Sequence, residues 1–271
     1  MISFSSNYFE SSSLFHGSVP GIMGTRFDLI IAKVTKEKSQ LVWNKIVTEL
    51  IRLHKMMNRF DPKSELSRIN MGAQKEFVTV SDEMWFILNE CKHYHSISEG
   101  LFDITLNNLS EVVFDIESKS VAFPTNDFYF DLGGYAKGYA IEKIKKLLSE
   151  ADVEDALVNF GDSSIAAVGH HPFGDCWSVS INNPFKKGEM LKEIKLKNQD
   201  LSSSGNVPTH PQHIIDPFTK QFNSDKKVVC VVANNSIDAE VLTTTLMIAS
   251  SDQQNRIKSN FKIDKSIVFN L

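Results

Sequence analysis

The pattern of hydrophobic and polar positions predicts that strands and helices alternate along this chain. Residues 25–34 place Phe27, Leu29 and Ile31 at every second position, which predicts a strand with one buried face. The segment 40–57 then has hydrophobic residues at intervals of three and four, which predicts an amphipathic helix. Two periodicities in neighbouring segments indicate a fold that mixes α and β elements.

Later segments continue the same alternation. Ser81 is placed to cap a second helix that runs to about residue 98. Residues 177–182 alternate cleanly between hydrophobic and polar, which predicts a half-buried strand. The other predicted elements are short strands within 112–130, a β-like segment at 155–168, a hairpin loop at 170–175, a strand at 227–233 and a helix from a Ser236 cap to about residue 250.

No repeat, low-complexity tract or Pro/Gly-rich linker divides the 271 residues. The composition, 42% hydrophobic and 23% charged, is that of a globular protein with enough apolar material for a sizeable core. We therefore predict an α+β fold, a single domain with a central, mainly antiparallel sheet flanked by helices. The domain is expected to span 20–271, and residues 1–19 are expected to form an N-terminal extension.

The charge of the chain argues against some classes of function. A formal net charge of −4 gives no general attraction to nucleic acid or to an anionic membrane. No apolar run reaches the length of about 18 residues that spans a membrane, so we expect no spanning segment. Residues 1–20 lack the basic and apolar stretches of a signal peptide, and the three cysteines form no Cys-x-x-Cys pair. The expected location is the cytoplasm.

The stretch 131–140, which contains paired glycines, is the most distinctive local motif. Its sequence is Asp-Leu-Gly-Gly-Tyr-Ala-Lys-Gly-Tyr-Ala. It follows an apolar run at 128–130 that predicts the end of a strand, and it leads into helical spacing at 141–148. Backbone N–H groups at such a helix start can face a phosphate, and Lys137 would add a positive charge. The same spacing also suits an ordinary strand-to-helix connection, since it is neither the Rossmann fingerprint nor a P-loop.

This stretch resembles the signature of the ApbE-type FAD:protein FMN transferases, and other blocks resemble the same family in the same order. They extend from about residue 20 to about residue 250, which is nearly the whole chain. The chain departs from the family at 161–164 and after 204–206, and both departures bear on acceptor recognition. The blocks are Met23–Thr25, Asp61–Asn70, Gly100–Thr105, Leu157–Gly161, His213–Pro217 and Ala239–Thr244.

The resemblance implies an enzyme that transfers FMN from FAD to a Ser or Thr hydroxyl of an acceptor protein and releases AMP. FAD would be the substrate, Mg²⁺ the metal cofactor, and the acceptor a flavoprotein subunit of a respiratory or electron-transfer complex. Splitting a pyrophosphate needs an electrophile that absorbs negative charge, which a hard cation with oxygen ligands provides. Two alternatives stay open: a FAD pyrophosphatase that gives FMN and AMP, and a flavin-binding protein without catalysis.

Glu240 and Thr244 are candidate metal ligands because they lie four residues apart on a predicted helix and so share one face. The spacing alone also fits a polar face on an otherwise buried helix. The resemblance implies that both residues bind the metal, with the backbone carbonyl of Gly134 as a third ligand. Glu240 stands where the family has aspartate, so its carboxylate extends farther by about one C–C bond. Mn²⁺ or Ca²⁺ coordination could relieve such a misfit.

His213 is the candidate general base. An imidazole can take up a proton near neutral pH, and His213 is the one histidine of the eight that lies in a family-like block. For FAD binding, the resemblance points to Phe60, where relatives often have tyrosine, and to apolar and charged side chains elsewhere. The full set of expected FAD-binding residues is Met23, Phe60, Leu101, Phe102, Asp103, Asp131, Lys137 and Ile214.

Overall fold

Strands and helices alternate over most of the chain, as the hydrophobic pattern predicts. The computed structural model describes residues 3–206, 208 and 214–271. Its helices are α1 (Lys36–Met57), α2 (Glu65–Gly72), α3 (Asp82–Ile97), α4 (Ala136–Glu150), α5 (Ser236–Ile248) and α6 (Ser251–Lys258). Its strands are β1 (Ser5–Phe9), β2 (Leu14–Ile22), β3 (Thr25–Ala32), β4 (Val78–Thr79), β5 (Val113–Asp115), β6 (Ser120–Ala122), β7 (Asp155–Phe160), β8 (Ser164–Val168), β9 (Trp177–Asn182), β10 (Met190–Leu196), β11 (Gln199–Gly205), β12 (Lys227–Ala233) and β13 (Ile263–Asn270).

Eight of these strands form one antiparallel sheet in the order β1-β2-β3-β7-β8-β11-β12-β13. Strands β4, β6 and β5 form a small sheet, and β9 pairs with β10 in a separate two-stranded sheet. The predicted α+β fold with a mainly antiparallel central sheet is therefore confirmed. Within the described ranges, no helix is both long and apolar enough to cross a membrane.

Hydrophobic layers cover both faces of the large sheet. On β12, Val229 and Val231 belong to the layer that holds the buried residues of the helices, whereas Val228 and Cys230 belong to a second layer. This division follows from strand geometry, because successive side chains point to opposite faces of a sheet. The second layer is closed by β9 and β10, whose Trp177 is buried in it. The large sheet thus lies between the helices and the two-stranded sheet.

The N-terminal strands extend the large sheet at one edge. Strand β2 pairs along its length with β3, and its side chains Phe15, Val19 and Ile22 are buried in the core. A Cβ atom at Gly17 would lie 2.6 Å from the Trp43 ring, so this strand needs a glycine that interrupts its hydrophobic alternation. The sequence pattern predicts no strand here for that reason. The boundary expected between residues 19 and 20 falls inside β2.

Helix ends follow local capping, and two of them differ from the prediction. Ser81 caps α3 as predicted. Helix α1 begins at Lys36 rather than near residue 40, because the Thr35 side chain accepts a hydrogen bond from the third helical N–H group at 3.3 Å. Helix α5 is capped by Asn235 rather than by Ser236, since the Asn235 side chain accepts hydrogen bonds from two N–H groups of the first turn.

Two predicted strand features are wrong. Residues 128–130 are not a strand, because the side chain of Asn70 takes the place of a neighbouring strand. Its amide accepts from the Phe130 N–H at 2.7 Å and donates to the Phe130 carbonyl at 2.9 Å. Residues 170–175 are not a hairpin loop, because they connect β8 of the large sheet to β9 of the two-stranded sheet.

An ion-pair network joins α1, α3 and α4 on the outer side of the helical layer. The Arg52 guanidinium binds Glu49 at 2.7 Å and Glu83 at 2.5 Å. The Tyr139 hydroxyl of α4 donates to Glu83 at 2.8 Å, and the Lys143 ammonium lies 3.5 Å from the same carboxylate. Helix α4 follows directly after the turn that contains Gly133 and Gly134, called the glycine turn below, so this network helps to fix the helix that begins there.

We expect the Glu83→Gln variant to lose stability in a pH-dependent way. Hydrogen bonding to Arg52 lowers the pKa of Glu83 from 4.5 to about 2. The stabilisation is therefore complete above pH 4.5 and is lost as the pH falls from 4.5 through 2. Urea unfolding at pH 7 should show a loss of about 1 kcal/mol, which shrinks toward pH 3. The control Glu90→Gln, on the same helix, should leave the free energy of unfolding unchanged. An equal loss of stability in Glu83→Gln at pH 7 and at pH 3 would contradict the argument.

Candidate active site

A cavity of about 1120 Å³ lies between the glycine turn, α5 and the strands β7, β8, β9 and β11. Ligand pockets commonly measure roughly 300–1,000 Å³, so this cavity has room for a dinucleotide. It brings together most of the residues that the family resemblance predicts, although they are far apart in the sequence. The expected residues that line it are Met23, Leu101, Phe102, Asp103, Asp131, Gly134, Lys137, Ile214, Glu240 and Thr244.

Two expected site residues are not in this lining. His213 lies outside the described residues, whereas Ile214, the next residue in the chain, lines the cavity and is buried. Phe60 is 79% exposed and does not line the cavity. The Arg59 guanidinium lies 4.3 Å over the Phe60 ring and also binds Asp131, with 3.1 Å between Nε and Oδ2. Phe60 is thus connected to the cavity through Arg59 rather than by direct contact.

The glycine turn presents the start of α4 to the cavity. The Asp131 carboxylate accepts a hydrogen bond from the Gly133 N–H at 2.8 Å, which holds the turn in place. Tyr135, the residue before α4, makes no side-chain cap, and no acidic residue lies in the first turn. Uncapped N–H groups at a helix start carry a partial positive charge and attract anions. The turn is therefore suited to a phosphate group, as the sequence motif indicates.

A buried ion pair joins the two helices that border the cavity. The Lys137 ammonium of α4 binds the Glu240 carboxylate of α5, which is 3% exposed. The Ser164 hydroxyl of β8 donates to the other carboxylate oxygen at 3.3 Å. A buried carboxylate is costly without a partner, and these two groups supply it. The same lysine that was expected to contact a phosphate therefore also serves as the counter-ion of Glu240.

The potential ligands near Glu240 are oxygen atoms, the ligand type that a hard cation prefers. The Thr244 hydroxyl lies one turn away on α5, and it donates to the Glu240 carbonyl at 3.3 Å. Gly134 lies beside it, since a Cβ atom there would be 3.7 Å from the Thr244 hydroxyl oxygen. Among the described residues, no group of three or more His, Cys, Asp or Glu side chains could hold a metal ion. A single carboxylate with a hydroxyl and a carbonyl fits Mg²⁺, which commonly completes its shell with water and substrate phosphates.

Asp103 shapes the cavity wall by organising a loop. Its buried carboxylate accepts hydrogen bonds from the N–H groups of Thr105 at 2.7 Å and Leu109 at 2.8 Å. The preceding carbonyl, of Phe102, is 3.0 Å from a ring nitrogen of His95. These bonds hold Leu101 and Phe102 against the cavity, where they form an apolar wall.

One set of lining residues was not anticipated from the sequence. A hydroxyl-rich wall is formed by residues of β8, β9 and β11 and the turn before β8. Serine pairs and triplets are visible in the sequence at 163–164 and 202–204, but serine runs are also typical of loops and turns, so they were not candidate site residues. The departures from the family at 161–164 and after 204–206 were expected only to bear on acceptor recognition. The serines of this wall are Ser163, Ser164, Ser178, Ser180, Ser202, Ser203 and Ser204.

These features define a class of protein: an α+β chain with a cavity large enough for a dinucleotide. One wall of the cavity is apolar, another is rich in hydroxyl groups, and the uncapped start of a helix is suited to a phosphate group. Comparison with known proteins narrows the class. The model of the ApbE family matches residues 23–121 and 109–265. Because these segments cover most of the sequence, the chain belongs to the ApbE family.

Individual relatives are distant in sequence. A FAD:protein FMN transferase of Chlamydia muridarum is 24% identical over 242 residues, which are 74% of each chain. One from Vibrio cholerae is 23% identical over 269 residues, with 85% of this chain and 80% of the relative covered. One from Klebsiella pneumoniae is 25% identical over 166 residues, and this chain spans only 50% of its length.

Solved structures support the fold. The ApbE protein of Thermotoga maritima has a TM-score of 0.79 and 18% identity, covering 100% of this chain and 97% of its own. The flavin transferase ApbE from Vibrio cholerae has a TM-score of 0.73 and 18% identity, covering 99% of this chain and 92% of its own. At this level of identity the comparison supports the architecture rather than the role of any residue.

Proposed function

We propose that this chain is a transferase that moves FMN from FAD to a Ser or Thr hydroxyl of an acceptor protein and releases AMP. The main support is the cavity in which Lys137, Glu240 and Thr244 meet the glycine turn at the start of α4. The names of the relatives in several bacteria support the same reaction. The proposed acceptor is a flavoprotein subunit of a respiratory or electron-transfer complex.

The walls of the cavity suit the two ends of FAD differently. Met23, Leu101, Phe102 and Ile214 supply apolar surface for a flat ring system. The start of α4 offers backbone N–H groups to the pyrophosphate, and Lys137 adds a positive charge beside them. Holding the phosphates at a fixed place orients the phosphorus for attack, which is the main contribution of an enzyme to phosphoryl transfer.

In the proposed reaction, the acceptor hydroxyl oxygen forms a bond to the FMN-side phosphorus of FAD. The bond from that phosphorus to the bridging oxygen breaks, and AMP leaves with this oxygen. His213 takes the proton of the attacking hydroxyl. Support for this role comes from the family-like block that contains His213 and from the neighbouring Ile214, which lines the cavity.

The proposed metal ligands are Glu240, Thr244 and the Gly134 carbonyl. When bound, Mg²⁺ would supply charge neutralisation at the pyrophosphate. In the structure the Glu240 carboxylate binds the Lys137 ammonium. A metal ion at Glu240 would therefore have to displace this ammonium. Lys137 is well placed to give way, because it can exchange Glu240 for a substrate phosphate within the same cavity.

The function is tested by incubating the protein with FAD, Mg²⁺ and the apo form of a respiratory subunit that carries FMN on a threonine. We expect FMN bound covalently to the acceptor, detected by mass spectrometry, and an equal amount of AMP. The control is the same subunit with that threonine replaced by valine, which should remain unlabelled. Release of AMP at the same rate without any acceptor would instead identify a pyrophosphatase. Binding of FAD without any AMP release would identify a flavin-binding protein.

We expect His213→Ala to lower the rate of FMN transfer by about 10²–10⁴-fold, the usual contribution of a general base. The FAD affinity, measured by calorimetry, should stay close to that of the wild type, because the imidazole is proposed to act on the acceptor hydroxyl. His93→Ala, which changes an exposed histidine on α3, is the matched control. Transfer at the wild-type rate in the His213 variant would show that the base is another group.

We expect Lys137→Met to bind Mn²⁺ more tightly than the wild type in the absence of FAD, by about tenfold or more. The physical reason is competition, since removal of the ammonium frees the Glu240 carboxylate for the metal. Free and bound Mn²⁺ can be measured by electron paramagnetic resonance, independently of activity. Lys143→Met, on the same helix but facing Glu83, should leave the affinity unchanged. Equal Mn²⁺ binding by wild type, Lys137→Met and Glu240→Gln would exclude Glu240 as a ligand.

A further inference from the structure

Among the residues that the structure describes, one edge of strand β9 has no partner strand, and this edge borders the cavity. In the described part of the chain, β9 pairs with β10 alone, at one end of a two-stranded sheet. Its consecutive residues 178–182 all line the cavity. Since successive side chains of a strand point to opposite faces, a ligand can meet all of them only along the edge. The backbone of β9 is therefore accessible from the cavity.

The direction of the backbone N–H groups can be derived from the turn that follows β9. The N–H of Asn183 donates to the carbonyl of Glu189 at 2.8 Å, on the β10 side. Successive N–H groups of an extended strand point to alternate edges. Those of Asn182, Ser180 and Ser178 consequently point away from β10 and toward the cavity. They form a row of main-chain donors and acceptors of the kind that a further strand can pair with.

This edge is continuous with the proposed reaction site. Ser164, whose hydroxyl contacts Glu240, lines the same cavity, as do Ser203 and Ser204 of β11. The ladder between β8 and β11 ends at the pair Ser164 and Ser202, followed by one hydrogen bond from the Ser203 N–H to the Ser163 carbonyl at 2.7 Å, and the cavity extends to Ser204 beyond it. The edge of β9 and the Lys137–Glu240 pair therefore border the same cavity, although they belong to opposite sides of the large sheet.

We propose that the acceptor protein binds by adding an extended segment, which carries the reactive Ser or Thr, as a third strand along the free edge of β9. This inference rests on the proposed function, which requires a protein hydroxyl to reach a phosphorus inside a cavity. An extended segment is the narrowest form of a polypeptide, and main-chain pairing holds it with little dependence on its side chains. The exposed side chains of β9 are polar, namely Ser178, Ser180 and Asn182. They therefore suit an acceptor segment with polar side chains better than one with apolar side chains.

The Ser180→Pro variant tests the inference because proline removes the backbone N–H that points to the cavity, together with the Ser180 hydroxyl, and leaves the N–H groups of Val179 and Ile181 for pairing with β10. Proline is tolerated at a strand edge of this kind. We expect the KM for the acceptor to rise about 5- to 10-fold, the loss of one hydrogen bond. The affinity for FAD should not change. Ser180→Ala, which removes the same hydroxyl but keeps the N–H, is the matched variant, and its KM for the acceptor should rise clearly less than that of Ser180→Pro.

Hydrogen exchange supplies a second readout that needs no substitution in this chain. With FAD and the threonine-to-valine acceptor subunit, exchange of the amides in 178–182 should slow, whereas FAD alone should leave it unchanged. The β9 docking site would be overturned if Ser180→Pro had the same KM for the acceptor as the wild type. It would also be overturned if the acceptor bound without slowing amide exchange in 178–182. Absence of any transfer by the wild type would instead overturn the proposed function, so the two failures can be distinguished.

Discussion

The close approach of α4 to the start of α5 is the contact on which the candidate site depends. At Gly138, a Cβ atom would lie 2.8 Å from the Ser236 carbonyl oxygen and 2.9 Å from the Ile237 Cα, so only glycine permits this packing. The approach places Lys137 of α4 against Glu240 of α5 inside the cavity. The close packing that Gly138 permits therefore positions the lysine against the buried carboxylate.

A second buried ion pair fixes the same two helices away from the cavity. Lys145 of α4 binds Asp200 of β11 at 2.6 Å, and the Ser236 hydroxyl at the start of α5 donates to the same carboxylate at 2.8 Å. Burial raises the pKa of Asp200 to about 6, and the nearby lysine counteracts part of this effect. Asp200 does not line the cavity, whereas Glu240 does. One pair thus serves the packing, and the other is available to a ligand.

The arrangement of the sheets gives the cavity two different sides. The helical side supplies the glycine turn, the lysine and the apolar wall, which suit a nucleotide with a flat ring system. The opposite side consists of β8, β9 and β11 and is rich in hydroxyl groups. Within the described ranges, β9 lies at the end of a two-stranded sheet, so this side also has a backbone edge that no described strand pairs with. Under the proposed function, the two sides would serve different partners, with the nucleotide against the helical side and the acceptor segment along β9.

The sequence by itself determined the features that depend on short-range pattern. Alternation predicted β3 and β9, helical spacing predicted α1, and a serine cap predicted the start of α3, because each is governed by neighbours within a few residues. The ordered family-like blocks also indicated which residues would gather at one site. Only the tertiary structure decided that Lys137 pairs with Glu240, 103 positions away, that Phe60 lies outside the cavity lining, and that Asn70 replaces a strand at 128–130. Such contacts depend on strand order and on how closely two helices pack, and neither is encoded in local periodicity.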